Sequence, residues 1–374
     1  MSRTVVTVSD TVLGYGSSQI LSITKGLAET IGGDHKIFQP FVPHRKFQNL
    51  NNEGYCVETV TTVEHPWSWI GRMQYLRRVA KSINTHRPDV LVLPNYNMIP
   101  IIDLLDFRPS KIIHLVLEDM EQFGESYWAQ HILRKIKQHV QKIDIWIFPE
   151  QNRAIHDCNV LGVPFDRVCL FYNITTDARA YLPANERNGR IVYAGSVDFK
   201  RTVARFFSSP PVASEAIDVF GNLSGSDEQK QDFLAATRSP ENRLRYFGEI
   251  PADTLANQLP QYAYSLVYWF PVNLALRNAA PNKFFQAIAS GVPVISAPHP
   301  QCVSLIKRYG CGISLKDWEY GTFVSGLKSA VRKMGSTEYQ DMVAGCKEAY
   351  VKELNFDFQF QKLAILLNKE KDYL

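Results

Sequence analysis

No stretch of this 374-residue chain approaches the run of about 18 apolar residues that a membrane-spanning helix needs, so the sequence predicts none. The N-terminal segment, MSRTVVTVSD, has no apolar core of the kind that signal peptides carry. The six cysteines are scattered and form no Cys-x-x-Cys pair, which is typical of reduced thiols and not of a disulfide framework. Since the net charge is only +4, the composition does not indicate nucleic-acid binding. We therefore expect a cytoplasmic protein that does not bind nucleic acid.

Sequence patterns that bind metal ions are missing as well. The chain has no Asp-x-Asp and no His-x-x-x-His, and the pair His299 and Cys302 has no second pair to complete a site. The charge of any anionic ligand would then be balanced by basic side chains and by helix dipoles. The sequence therefore predicts chemistry that needs no metal ion.

What the chain does contain is a regular alternation of short apolar runs with stretches of helical periodicity. In the first half we predict a helix after Ser17 and further elements as follows: strands Thr4–Val8, Lys36–Val42, Tyr55–Thr61, Asp89–Leu93, Lys111–Leu117, Asp144–Phe148 and Val168–Tyr172, and helices Trp67–His86, Ser126–Ile143 and Asn152–Leu161. In the second half we predict strands Arg190–Ala194, Ala216–Phe220, Arg243–Phe247, Ser265–Phe270, Val292–Ser296 and Gly312–Leu315, and helices Pro281–Ser290 and Asp317–Met334. This alternation is typical of parallel sheets covered on both faces.

A polar segment, Asn173–Gly189, interrupts the alternation and has the composition of a linker. We therefore predict two doubly wound α/β domains, one over residues 1–178 and the other over 179–356. The C-terminal helix, residues 357–374, should pack back on the first domain. Ligands of such sheets bind at the carboxyl ends of the strands, and two facing domains would form a cleft there.

A glycine-rich turn, with Gly14 and Gly16, follows the first predicted strand. It is not a complete G-x-G-x-x-G motif, because position 19 is glutamine, and the second strand does not end in an acidic residue. A nicotinamide site is therefore not expected. The turn is either a tight strand-to-helix connection or a nest of backbone amides that faces the cleft.

The second half has a longer series of glycines at predicted strand ends. Gly195 and Ser196 follow its first strand, Gly221 its second, and Gly248 its third. Pro281-Asn282-Lys283 then opens a helix, where proline is favoured because its missing N–H would be unpaired in any case. Free amides at this helix start, beside the lysine, predict a site for a diphosphate group.

This half of the chain resembles the donor domain of GT-B glycosyltransferases. The segment PNKFFQAIASGVPVIS is similar to the signature of family-4-like members, often found in exopolysaccharide synthesis. The resemblance implies the GT-B fold, with two Rossmann-like domains facing across a cleft. It also implies transfer of a sugar from a UDP- or GDP-linked donor, with no further cofactor.

The resemblance also implies roles for single residues. Gly195, Ser196 and Gly221 would approach the donor phosphates, and Lys283 with Lys200 or Arg201 would neutralise them. The remaining implied donor contacts are Glu249 and Ile250 at the base and ribose, Asn282 at the helix start, and Asn278 and Gln286. Asn278 and Gln286 occupy the positions of the family's Glu-x7-Glu pair. Amides can bond sugar hydroxyls but supply no negative charge, and Gln286 could instead be a surface helix residue.

An inverting transferase also needs a base near the acceptor hydroxyl. The stretch from His114 to Glu121, at the end of a predicted strand, resembles an acidic stretch of exopolysaccharide transferases. Asp119 and Glu118 are the leading candidates for the base, followed by Asp10 at the end of the first strand. We expect His114 to be a core residue.

Aromatic and basic residues alternate from Trp67 to Lys81. Such a helix face could bind an anionic membrane that carries a polyprenyl-linked acceptor, or it could simply cover the sheet. The predicted function is therefore sugar transfer to a glycan or lipid-linked acceptor, either in the cytoplasm or on the inner face of the membrane. Two alternatives stay open: a sugar-nucleotide epimerase of GT-B type, and a binding subunit without catalysis.

Overall fold

The computed structural model describes residues 3–13, 18–43, 50, 54–118, 126–174 and 181–368. It divides into two compact units, which are described separately below. The first unit comprises Met1–Tyr172 together with Gln359–Leu374, and the second comprises Asn173–Phe358. None of the helices in the described parts of the chain is both long enough and apolar enough to span a bilayer.

The first unit is a seven-stranded parallel sheet with helices between its strands. The strands are β1 (Thr4–Val8), β2 (Asp34–Pro40), β3 (Val57–Val60), β4 (Val90–Pro94), β5 (Lys111–Leu115), β6 (Ile145–Phe148) and β7 (Val168–Leu170). The helices are α1 (Ser18–Ile31), α2 (Trp69–His86), α3 (Tyr127–His139) and α4 (Gln151–Leu161), with a 3-10 segment at Tyr96–Leu104. The sheet order is β3-β2-β1-β4-β5-β6-β7, which is the Rossmann arrangement with one added strand.

Burial explains why these segments form a sheet covered on both faces. All five residues of β4 and all four of β6 are buried, as expected for central parallel strands. Helix α2 buries Tyr75, Val79 and Ile83, which lie on one face because they are spaced by four residues. His114 lies in this core, as the sequence indicates: its Nδ1 donates to the carbonyl of Leu93, and burial lowers its pKa to about 3.

The second unit has a six-stranded parallel sheet and a small additional pair of strands. Its strands are β8 (Ile191–Ala194), β9 (Val197–Asp198), β10 (Ile217–Phe220), β11 (Leu223–Ser224), β12 (Arg245–Tyr246), β13 (Tyr264–Val267), β14 (Val294–Ser296) and β15 (Gly312–Ser314). Its helices are α5 (Pro210–Ala213), α6 (Asp227–Arg238), α7 (Ala252–Gln258), α8 (Leu274–Arg277), α9 (Asn282–Ala289), α10 (Pro300–Tyr309), α11 (Tyr320–Lys333) and α12 (Thr337–Lys352). The main sheet has the order β12-β10-β8-β13-β14-β15.

Both sheets therefore reverse their strand order at one place. The reversal lies between β1 and β4 in the first unit, and between β8 and β13 in the second. Connections leave such a pair of strands in opposite directions, which opens a crevice at their carboxyl ends where ligands bind. The residues that follow β1, β4, β8 and β13 are therefore candidates for ligand binding.

The last helix, α13 (Phe356–Asn368), belongs to the first unit from Gln359 onward. The Gln359 side chain is buried, and its carbonyl oxygen accepts a hydrogen bond from the backbone N–H of Tyr172 at 3.3 Å. Phe360 contacts α1 so closely that a Cβ atom on Gly26 would lie 2.7 Å from its ring. The glycine therefore allows this helix to approach α1.

Candidate functional site

The carboxyl ends of β1 and β4 bring one acidic side chain and two amides together. Asp10 lies two residues after β1, and Asn95 and Asn97 come just after β4. Nδ2 of Asn95 donates to Oδ1 of Asp10 at 2.9 Å, and Nδ2 of Asn97 donates to Oδ2 at 3.1 Å. Because each carboxylate oxygen accepts one amide hydrogen, the carboxyl group is held in a single orientation.

Asn95 combines a strained backbone with an unpaired polar atom. Its φ of 61° and ψ of 150° lie in a region that residues other than glycine rarely adopt. Its side chain is only 7% exposed, and within the described part of the chain its Oδ1 has no hydrogen-bond partner. Both features cost free energy, and such features cluster at ligand-binding and active sites. They mark the end of β4 as a candidate site.

Arg72 and Trp128 hold Asn97 from its other side. The Arg72 guanidinium donates to Oδ1 of Asn97 at 3.3 Å, and the Trp128 indole N–H donates to the same oxygen at 2.7 Å. The guanidinium carbon lies 5.3 Å from the centre of the Trp128 ring, which is within cation–π range. Trp67 donates its indole N–H to the Asp10 carbonyl at 3.0 Å. The carboxyl group of Asp10 is thus supported by a second layer of fixed side chains.

The environment of Asp10 changes its acidity. Burial raises its pKa above the usual range, and the hydrogen bonds from Asn95 and Asn97 and the charge of Arg72 only partly oppose that rise. A carboxylate with a raised pKa is a better proton acceptor at neutral pH than an ordinary one. This site can therefore take a proton from a hydroxyl group.

Two glycines allow the chain to fold tightly at the corresponding edge of the second sheet. Gly195 follows β8 with φ 130°, and Gly221 follows β10 with φ 133°, conformations that L-residues rarely adopt. A Cβ atom on Gly221 would lie 1.8 Å from the carbonyl oxygen of Gly195, so only glycine fits there. The backbone at Gly195 is exposed, and glycine has no side chain of its own to cover it.

Lys283 lies directly beneath this turn. The residue is 8% exposed, and among the residues that the structure describes its Nζ has no hydrogen-bond partner. The Nζ atom lies 3.9 Å from the centre of the Tyr193 ring and 5.3 Å from that of the Trp269 ring. It would be 3.2 Å from a Cβ atom on Gly195. Burial lowers the pKa of this lysine to about 7, so near neutral pH its amine is only partly protonated in the free protein.

The helix that carries Lys283 adds a second attraction for anions. Lys283 is the second residue of α9, and Pro281 stands at the N-cap, where its ring has no oxygen to accept from the first amides. The N-terminus of a helix carries a partial positive charge, and anions are stabilised beside it. The buried lysine, the helix end and the exposed backbone at Gly195 together make a candidate site for a negatively charged group, called the anion site below.

Neighbouring side chains hold the walls of this anion site in place. Nε2 of His299 accepts from the backbone N–H of Trp269 at 3.3 Å, while its Nδ1 donates to the carbonyl of Arg277 at 3.2 Å. Asp198 accepts the amides of Lys200 and Arg201, both at 2.9 Å, and so fixes the turn after β9. His299 is therefore used as part of the scaffold, although its spacing from Cys302 resembles half of a metal site.

Structural comparison places this architecture among known proteins. The chain is similar to the lipopolysaccharide outer core galactosyltransferase WaaB in its apo form, with a TM-score of 0.67 and 14% identity over 97% of this chain and 99% of that one. The chain has the GT-B fold. It is also similar to WaaG, a glycosyltransferase involved in lipopolysaccharide biosynthesis, with a TM-score of 0.69, 11% identity and coverage of 98% and 100%. Anabaena HepE in complex with UDP and glucose is similar with a TM-score of 0.69 and 11% identity, over 99% of this chain and 100% of that one. No protein-family model and no curated protein sequence matches the chain.

Within the GT-B frame, the predicted donor residues fall into two groups. Gly195, Gly221 and Lys283 come together as described, with Ser196 half-buried beside Gly195. The others lie around them in varied settings: Lys200, Arg201, Glu249 and Asn282 are exposed, Gln286 and Ile250 are half-buried, and Asn278 is buried at the end of α8. Of these, Arg201 is engaged by Asp198 through its Nε at 2.8 Å, and Ile250 packs against an apolar cluster.

The predicted residues of the first GT-B unit are less completely described. Asp119, Gly14 and Gly16 lie outside the described residues, and their roles stay predictions. Glu118 is exposed after β5. Asp10, the third candidate for the base, is the acidic residue that the structure surrounds with amides, a guanidinium and an indole N–H.

Sequence reasoning missed the side chains that complete both sites. Asn95 and Asn97 were detectable in principle, since two asparagines directly after a buried strand are a signal for side chains at a sheet edge. Tyr193 and Trp269 give no such signal, because aromatic residues inside strands usually belong to the core. Among the described residues, no group of three His, Cys, Asp or Glu side chains is arranged to hold a metal ion.

Proposed function

We propose that this protein is a glycosyltransferase of hexosyltransferase type that uses a nucleoside-diphosphate sugar and needs no metal ion. The observation that carries this proposal is Lys283, a buried ammonium without a hydrogen-bond partner in the described structure, beneath the exposed backbone of Gly195. Holding such a group costs free energy unless an anion binds to it. A diphosphate would supply the missing charge, while the N-terminus of α9 would bind a second phosphate oxygen.

The same contacts would assist the chemistry. When the bond between the anomeric carbon and the diphosphate oxygen breaks, the leaving diphosphate keeps the electron pair and gains negative charge. A fixed ammonium and a helix N-terminus stabilise this charge more in the transition state than in the ground state, which lowers the barrier. We propose that Lys283 has this role, with Lys200 and Arg201 at the rim of the site.

We propose that Asp10 acts as the general base in the first unit. Its carboxylate would take the proton of an acceptor hydroxyl while the acceptor oxygen forms its bond to the anomeric carbon. Its raised pKa and the fixed orientation that Asn95 and Asn97 impose both favour this transfer. Direct attack of this kind inverts the anomeric configuration, and it does not need the two glutamates that Asn278 and Gln286 replace.

The similar proteins support the choice of reaction and of pathway. WaaB and WaaG are described as lipopolysaccharide glycosyltransferases, and HepE was crystallised with UDP and with UDP-glucose. We propose by analogy that the donor is UDP- or GDP-linked and that the product belongs to a cell-surface polysaccharide. The acceptor would be a glycan or a lipid-linked sugar.

The proposal is tested by nucleotide binding followed by turnover. The melting temperature of the protein should rise with one of UDP, GDP, CDP, CMP or ADP, because a ligand that binds only the folded state stabilises it. The matching nucleotide sugar should then be consumed in the presence of EDTA, with the sugar appearing on an acceptor. Free epimerised nucleotide sugar as the product would indicate an epimerase instead. Binding without turnover of any donor and acceptor would indicate a binding subunit.

Nucleotide binding should also take up a proton above neutral pH. In the free protein Lys283 has a pKa of about 7, so at pH 8 it is mostly neutral. A bound diphosphate favours the ammonium form and raises this pKa, so binding at pH 8 transfers a proton from buffer to protein, whereas binding at pH 6 transfers little. Calorimetric titration in two buffers of different ionisation enthalpy measures this uptake. Equal uptake by wild type and Lys283→Met would contradict the assignment.

A further inference from the structure

An exposed aromatic surface lies beside Asp10 in the first unit. It consists of Trp67, Trp69 and Tyr127, whose exposed fractions are 38%, 46% and 66%. The Trp69 and Tyr127 rings lie 5.5 Å apart at 63°, and Trp69 lies 6.5 Å from the Trp128 ring behind it. Large aromatic side chains that remain exposed together on one surface are typical of binding sites.

The surface is tied to Asp10 by hydrogen bonds rather than by proximity in sequence. The indole N–H of Trp67 donates to the Asp10 carbonyl, and that of Trp128 donates to Asn97, which itself holds the Asp10 carboxylate. Since these indole N–H groups are used inside the protein, the rings are fixed and the exposed ring of Trp67 offers mainly its carbon face. Trp67 is therefore a fixed apolar face beside the proposed base, and Trp69 and Tyr127 extend the exposed aromatic surface.

The aromatic surface joins two segments that are distant in the chain, each at the start of a helix. Trp69 is the first residue of α2 and Tyr127 is the first residue of α3. Each helix start is capped by a serine: Ser68 accepts from the amide of Gly71, and Ser126 accepts from the amide of Ala129. Both caps satisfy backbone groups that would otherwise bind water, so the helix starts can present aromatic rings to a ligand.

We infer that this aromatic surface binds a sugar ring of the acceptor, by stacking of the ring's C–H face on Trp67, Trp69 and Tyr127. A pyranose has apolar C–H faces and a polar rim, and such a ligand suits fixed aromatic faces next to a few polar groups. Asp10 is such a polar group, because its backbone carbonyl accepts from Trp67 and its carboxyl group is held by Asn95 and Asn97. The inference rests on the proposed transferase activity, because it identifies the acceptor whose hydroxyl Asp10 would deprotonate.

The arrangement of charge favours a sugar over a membrane surface. Arg72, which the sequence groups with a membrane-binding face, is half-buried over Trp128 and bonds Asn97. Arg78 donates to the carbonyl of Thr61, and Arg77 borders a separate surface depression with Lys81 and Asp106. The charge of Arg72 is therefore used inside the protein rather than beside the exposed indoles, which favours a sugar over an anionic bilayer as the ligand of this surface.

The test measures sugar binding without a nucleotide. Wild-type protein is applied to a printed array of bacterial surface oligosaccharides. It is also titrated with the methyl glycosides of glucose, galactose, mannose and N-acetylglucosamine. The best ligand is then titrated into Trp69→Ala, Trp69→Phe and the control Phe165→Ala, which removes an aromatic ring that is 59% exposed elsewhere in the unit. We expect Trp69→Ala to lose about tenfold or more in affinity, Trp69→Phe to keep most of it, and Phe165→Ala to match wild type.

Each other outcome overturns the inference. Wild-type protein that binds no sugar would be such an outcome, as would Trp69→Ala binding the sugar as tightly as wild type. A third is that wild type binds phosphatidylglycerol vesicles but no sugar, and Trp69→Ala abolishes the vesicle binding. Melting temperatures of all variants separate lost binding from lost folding. If the protein binds nucleotide and turns over the donor but binds no sugar at the aromatic surface, this inference alone is contradicted. If it binds a sugar but no donor, the proposed transferase is contradicted.

Discussion

Replacing Asp10 by asparagine should lower the rate of sugar transfer by about 10²- to 10⁴-fold, the contribution expected of a general base. Asparagine has nearly the same shape: its Oδ1 can accept from Asn97, and its Nδ2 can donate to Oδ1 of Asn95 once that amide turns over, but it cannot take the acceptor's proton. The binding of nucleotide to the second unit should not change. The rate is measured with saturating donor and acceptor, and the donor affinity by calorimetry.

The folding of this variant should not be impaired. Burial raises the pKa of Asp10 in the folded protein, so its ionised form at neutral pH opposes folding, and a neutral asparagine removes that cost. The control is Asp166→Asn, which changes an exposed carboxylate of the same unit. As the pH is lowered, the rate of the wild-type enzyme should fall at a pH above the usual aspartate pKa, because protonated Asp10 is inactive. Near-wild-type turnover in Asp10→Asn would show that another residue, with Asp119 and Glu118 next, is the base.

Replacing Lys283 by methionine should weaken nucleoside-diphosphate binding by about 10- to 100-fold, because it removes one charge-assisted contact worth about 1.5–3 kcal/mol. Methionine keeps the unbranched apolar part of the side chain between Tyr193 and Trp269. Turnover should fall by at least the same factor, since the charge of the leaving group grows in the transition state. Calorimetric titration with the nucleotide found by thermal shift gives the affinity.

The same variant should be more stable than wild type in the absence of nucleotide. The pKa of Lys283 falls from its ordinary value to about 7 on folding, so between these two values the unfolded chain binds more protons. Stability contributed by this group therefore rises with pH through that window, and below pH 7 the folded protein carries the full cost of a buried charge. The advantage of methionine should be largest near pH 6 and should shrink towards pH 10. Lys328→Met, which changes an exposed lysine of the same unit, should show neither effect.

Most of the secondary structure was predictable from local pattern. The first predicted strand, Thr4–Val8, agrees with β1 at both ends. Helix α6 was missed because, of its twelve residues, only Phe233 is buried, so it carries little apolar periodicity. Its signal lies in the capping box formed by Ser226 and Gln229.

The residues of the proposed anion site are carried by local signals in the chain. A glycine after a strand, and a proline followed by a lysine at a helix start, each have a meaning that neighbouring residues determine. What the sequence did not show is that Lys283 is buried between two rings and lacks a partner in the described structure. Tyr193 lies in β8 and Trp269 follows β13 by two residues, so the two rings come from either side of the reversal in strand order.

The sequence by itself thus determined the alternation of strands and helices and the doubly wound architecture, and it indicated the glycines and lysine of the proposed anion site, because each depends on residues close together in the chain. Only the tertiary structure decided which acidic residue is surrounded by donors. Asp10 and Asn95 are 85 residues apart, and they meet because β1 and β4 are neighbours in the sheet. The raised pKa of Asp10 is also decided by the fold, because burial raises it while the hydrogen bonds from Asn95 and Asn97 only partly oppose that rise, and neither can be read from a residue's position in the chain.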